Sequence, residues 1–154
     1  MTLDTKMEHL LKVPMLWISG HQALKFTPEE KAKLKEYVEK GGTILAEDCC
    51  SMKPFDASFR DLLKELWPEN TLIDLPKTHA IFTSFRNLGE HASLMGMPLG
   101  GGQGRLGVIY IPHGISCKWE VGGSGARADL DLGACIYLYV DKIGKRMQSE
   151  RVPE

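Results

Sequence analysis

Cysteine is scarce in this chain: four residues in 154, at Cys49, Cys50, Cys117 and Cys135, with no Cys-x-x-Cys pair. That count and spacing exclude a disulfide scaffold and give no zinc knuckle, so reduced thiols and no structural zinc are expected. Adjacent Cys49 and Cys50 are poor disulfide partners on geometric grounds. Long apolar runs are missing as well. None approaches the about 20 residues of a membrane span, and the N-terminus lacks the charged-then-apolar pattern of a secretory signal. Nor is there an excess of one charge: 19 Lys and Arg against 20 Asp and Glu leave a net −1. A nucleic-acid binder usually carries a strongly basic face, so that class is not expected. No internal repeat is visible. A soluble protein is the expectation, cytoplasmic by its reduced thiols.

What is present reads as one α/β domain over residues 1–154, with 1–13 as a lead-in and 148–154 as a disordered tail. Met15–Ser19 is a short apolar run closed by Gly20, which suits a buried parallel strand. Thr27, Pro28 and Glu30 spell a capped helix start, and Gly41 a helix stop. Thr43–Ala46 is the second strand, completing a strand–helix–strand unit with an expected right-handed crossover. A helix follows at about Asp56–Trp67, then a short strand within Leu72–Leu75. From Thr78 to Gly104 no period is sustained, and a loop is expected. Arg105–Ile111 is a strong strand, Cys117–Val121 a short one, and Asp129–Lys145 the last helix. Acidic residues at the start of that helix and basic ones at its end suit its dipole.

Two glycine clusters imitate nucleotide loops and fail on context. Gly102-Gln103-Gly104-Arg105-Leu106-Gly107 leads into a strand, whereas the dinucleotide fingerprint must leave a strand and open a helix. Gly122-Gly123-Ser124-Gly125 is followed by Asp129 and Asp131, which would repel phosphate, and no Walker lysine follows either cluster. No cofactor is expected.

The chemistry concentrates at Glu47-Asp48-Cys49-Cys50, where the second strand ends. In an open α/β sheet, ligands bind at the carboxyl ends of strands. A thiol there can act as a nucleophile, with Cys49 or Cys50 attacking and His79 as base. Against this stand the flanking carboxylates, which raise a thiol's pKa, and the missing glycine-flanked elbow. A metal reading combines His21, after the first strand, with Asp48 and His79, imidazole plus carboxylate suiting zinc or iron. Asp48 capping a loop or the next helix is the simpler alternative.

In their order, these motifs resemble domain-of-unknown-function family 4159, a bacterial group. The likeness rests on Pro14–His21, Gly41–Cys49, Phe55-Asp56 with Phe59-Arg60, Leu75-Pro76, Thr78–Phe82, Gly104–Tyr110 and Cys117–Glu120. It runs from Pro14 to Tyr139. The resemblance implies a class I glutamine amidotransferase-like fold, that is, a flavodoxin-like three-layer sandwich with a mainly parallel sheet. Two departures stand out. The family has His-Pro where this chain has His79-Ala80, and it carries a further βα unit before the first matched strand. Either the sheet lacks that first βα unit or the chain is a fragment of a longer protein. An exposed sheet edge favours pairing, so a homo-oligomer is expected.

The resemblance implies no activity, and shared fold does not carry function. The leading expectation is a domain that binds a small ligand or a protein partner at the strand ends, without amidotransferase-type glutaminase activity. His21, Asp48 and His79 lead the candidate ligand residues, followed by Glu47, Cys49 and His113. The alternatives are a hydrolase using Cys49 or Cys50 with His79, and a metal-dependent enzyme at His21, Asp48 and His79.

Overall fold

The computed structural model describes residues 3–89, 92–99, 104–123 and 125–149, with 144–149 described by backbone alone. Its elements run α1 (Met7–Leu10), β1 (Met15–Gly20), α2 (Pro28–Glu39), β2 (Thr43–Asp48), α3 (Lys53–Leu66) and β3 (Ile73–Asp74). A 3₁₀ turn (Ala80–Thr83) follows, then β4 (Met95–Pro98), β5 (Leu106–Ile111), α4 (Ser116–Val121) and α5 (Ala126–Ser149).

The five strands form one sheet in the order β1-β2-β5-β4-β3. β1, β2 and β5 are parallel neighbours, whereas β4 runs antiparallel to both β5 and β3. The sheet is therefore mixed, not mainly parallel. Only residues 99–105 separate β4 from β5, too short a link for the crossover a parallel pair demands. β4 falls within the stretch expected to be loop. Its sequence, Met-Gly-Met-Pro, lacks the β-branched and aromatic residues that announce a strand.

β2 and β5 are buried along their whole length, as central strands covered on both faces should be. Their side chains alternate between two cores. Ile44, Ala46, Val108 and Tyr110 pack with α2 and α3 through Tyr37, Val38, Phe55 and Phe59. Leu45, Ile109 and Ile111 face the other way, toward Ile81 and Phe82 of the 3₁₀ turn and Leu132, Ile136 and Val140 of α5.

Local signals set several boundaries. Thr27 accepts the Glu30 N–H while the Glu30 carboxylate accepts the Thr27 N–H, a reciprocal cap worth about 1 kcal/mol. Gly41 ends the turn after α2 at φ 111°, a conformation side chains disfavour. α3 begins at Lys53, ahead of the expected Asp56, with Pro54 in its first turn and Asp48 accepting the Met52 N–H. Residues 116–121 form a helix, not the strand expected from Cys117. The cause lies far away in sequence: the carboxylate of Glu47 accepts the first N–H groups of the segment. α5 begins at Ala126 and runs on to Ser149; the rest of the expected tail, Gly102 and Gln103 of the first glycine cluster and Ser124 of the second lie outside the described residues.

Candidate functional site

Because β1, β2 and β5 lie side by side and parallel, their carboxyl ends share one edge of the sheet. Each contributes. His21 follows β1 directly, Cys49 and Cys50 follow β2 directly, and Cys117 sits in the first turn of α4, shortly after β5. Their donor atoms meet. Cys50 Sγ lies 3.4 Å from His21 Nε2, 3.9 Å from Cys49 Sγ and 3.9 Å from Cys117 Sγ. One donor atom each from His21, Cys49 and Cys50 falls within 4.8 Å of the others. All three thiols are free, Cys49 buried, Cys117 half-buried and Cys50 exposed.

Neighbouring side chains on a strand point to opposite faces, so adjacent cysteines normally diverge. Here Cys50 has φ 116° and Ser51 φ 53°. For non-glycine residues such values cost on the order of 1–3 kcal/mol each, and they persist only where the surroundings enforce them. The turn swings Cys50 back beside Cys49. Tight packing holds it: a Cβ on Gly114 would lie 3.0 Å from Cys49 Cα and 3.1 Å from Cys50 N, so the segment leading to α4 lies directly on this turn.

Glu47, wholly buried, ties the third segment in place. Its Oε1 accepts the N–H of Ile115 at 2.5 Å and that of Ser116 at 2.7 Å, while Oε2 is buried without a hydrogen-bond partner. Asp48 is 2% exposed and belongs to the opposite face. Its Oδ1 accepts the Met52 N–H at 2.7 Å, which fixes the entry to α3. The simpler of the two roles expected for Asp48 is thus the one its geometry displays.

The remaining candidates sit apart from this group. His79 Nδ1 accepts the Ile81 N–H at 3.2 Å, and its ring lies 5.3 Å from that of Tyr139, in the second half of α5. Among the described contacts none joins it to either thiol, and the imidazole that Cys50 meets is His21. His113 lines a separate cavity of about 90 Å³ with Leu88, Asp129 and Leu132.

The model of the family described as Domain of unknown function (DUF4159) matches residues 1–145. The chain belongs to the DUF4159 family. No curated protein matches it.

In this DUF4159 domain the surroundings of Cys49 and Cys50 favour the protonated thiol. The Cys117 thiol, burial and the Cys50 thiol together push Cys49 up to about 12. Partial desolvation, the Cys117 thiol and the charge of Asp48 raise Cys50. The backbone donors after Cys50 are also committed: the N–H groups of Cys50 and Ser51 turn back to the Asp48 carbonyl at 3.0 and 3.4 Å. Cys117 is the member that sequence reasoning missed. Its signal was position, a thiol arriving just after the third parallel strand, but reading 117–121 as a strand hid it.

Among the described residues no helix is long and apolar enough to cross a membrane.

Proposed function

We propose that this domain uses an amidotransferase-like, flavodoxin-like fold as a binding scaffold, holding a small ligand at the carboxyl ends of β1, β2 and β5 without glutaminase activity. The observation that carries this reading is the meeting of His21, Cys49, Cys50 and Cys117 from three separate chain segments. Side chains drawn from distant segments onto a strained turn need a use that repays the strain. Helices on both faces of the β1-β2-β5 unit support the flavodoxin-like comparison.

Thiol hydrolysis is the rival. The Cys50–His21 contact at 3.4 Å supplies a nucleophile and base. Acyl transfer also needs donors aimed at a developing oxyanion. The N–H groups of Cys50, Ser51 and Met52 are spent on Asp48 instead, which favours binding over turnover.

Iodoacetamide labelling at neutral pH, read by mass spectrometry beside an ammonia-release assay on glutamine, separates the two. Slow labelling of Cys50 and no ammonia are expected. Rapid alkylation together with ammonia release that Cys50→Ser abolishes would overturn the binding reading.

The β1 edge supports a second copy as partner. Among the described residues β1 pairs with β2 alone, and Trp17 on it is 46% exposed. Light scattering that finds a monomer at every concentration counts against this.

A further inference from the structure

Resting on the binding reading above, we propose that the ligand of this site is a single thiophilic divalent metal ion of the zinc class, held by His21, Cys49, Cys50 and Cys117.

Distance is the first support. Zinc binds thiolate at about 2.3 Å and imidazole nitrogen at about 2.0–2.1 Å, so tetrahedral geometry spaces sulfurs about 3.8 Å apart and sulfur from nitrogen about 3.5 Å. Cys50 Sγ lies 3.9 Å from the sulfurs of both Cys49 and Cys117 and 3.4 Å from His21 Nε2. Cys50 stands at the centre of all three. Cys117 lies outside the tightest triad, so loading requires its half-buried side chain to close on the other three donors.

Donor chemistry is the second. Three sulfurs and an imidazole suit zinc or another borderline-soft ion and do not suit magnesium or calcium, which demand oxygen. The nearby carboxylates have other tasks, Glu47 on α4 and Asp48 on α3. Glu47 is a positioning residue: by fixing the start of α4 it sets where Cys117 stands.

A disulfide explains less. It would need sulfurs at about 2.0 Å and an external oxidant, and it would leave the third thiol and His21 unused.

Loading balances as one divalent ion plus three thiols and a neutral imidazole, giving a complex of charge −1 and three released protons. All four positions belong to the protein, the pattern of a structural or regulatory ion and not of a catalytic one.

The test uses the full chain, reduced and stripped of metal. Cobalt(II) is titrated in first, then zinc. Expected are one equivalent bound, tetrahedral cobalt bands with thiolate charge transfer, displacement by zinc, and about three protons released per ion. Cys50→Ser and Cys117→Ser should each weaken binding at least about tenfold, the lower bound seen even for second-shell changes. Cys135→Ser, buried within α5, should bind as the wild type does, and circular dichroism checks that each variant is folded. Several results would overturn the assignment: no tetrahedral cobalt, a Cys50–Cys117 disulfide in place of metal, Cys117→Ser binding undiminished, or equal loss in Cys135→Ser. Absent metal with slow thiol labelling removes this inference alone. Rapid labelling with ammonia release removes the binding reading beneath it.

Discussion

Glu47 accepts the backbone N–H of Ser116 at 2.7 Å across 69 positions of chain, fastening the start of α4 to the end of β2. The same oxygen takes the Ile115 N–H. Among the described hydrogen bonds, those of this carboxylate are the ones that join these two segments through a buried side chain, and they fix the start of α4 together with the packing of Gly114 on Cys49 and Cys50.

Glu47→Ala should therefore cost about 2–4 kcal/mol, because two buried N–H groups lose their acceptor. Glu47→Gln keeps an acceptor oxygen but loses the charge-assisted part, and should cost about 1–2 kcal/mol. Urea denaturation with unchanged slope measures both. Equal loss in the two variants would mean that charge, not acceptor geometry, is what matters.

Gly114 makes a second prediction on the same contact. A Cβ there would meet backbone atoms of Cys49 and Cys50 at 3.0–3.1 Å, and backbone cannot turn aside as a side chain can. Gly114→Ala should lose about 1–3 kcal/mol. Gly125→Ala, with open space around it, should stay within about 0.5 kcal/mol. Melting temperatures of the pair decide it.

Much of this was legible in the sequence where the cause is local. The Thr27–Glu30 box and Gly41 bracket α2 because capping and chain reversal are written within a few residues. The strand ends were legible for the same reason, which is why His21, Cys49 and Cys50 could be singled out. Cys117 could not, because its helix is started by Glu47 from far along the chain. Asp48 ranks above Glu47 in the sequence reading, yet strand alternation sends the two carboxylates to opposite faces, and Glu47 is the one that meets the start of α4. The absence of Cys-x-x-Cys gives the expectation of no structural zinc, yet that spacing bears only on local knuckles. It is silent about donors gathered from three strand ends. β4 was hidden by its composition, and its pairing with β5 supplies what its propensity lacks.

Two buried tyrosines predict alkaline sensitivity. Burial pushes Tyr37 up from 10.0 to about 12, its hydroxyl donating to the Val13 carbonyl at 2.8 Å. Burial and the Asp56 carboxylate raise Tyr110, which donates to Asp56 at 2.8 Å. A phenol whose folded pKa is raised contributes stability that is complete below pH 10 and drains away as pH rises through the folded value. Urea midpoints should thus fall between pH 10 and 12. Tyr37→Phe should flatten that fall; an unchanged slope would remove Tyr37 as its source.

His79 predicts the opposite, acid side. Its Nδ1 accepts the Ile81 N–H, so the neutral ring carries its proton on Nε2, and protonating Nδ1 would break the cap of the 3₁₀ turn. Burial lowers its pKa from 6.5. The unfolded chain then binds the proton more readily, so stability is full above pH 6.5 and is lost as pH falls toward the folded value. His79→Asn keeps a side-chain acceptor suited to that cap but cannot titrate. Comparing urea midpoints at pH 7.5 and 5.5 should show a larger acid loss in the wild type than in His79→Asn. Equal losses would place the acid-sensitive group elsewhere. A ring needed neutral for capping beside Tyr139 has a structural task of its own, and Cys50 has His21 at 3.4 Å for any proton it gives up.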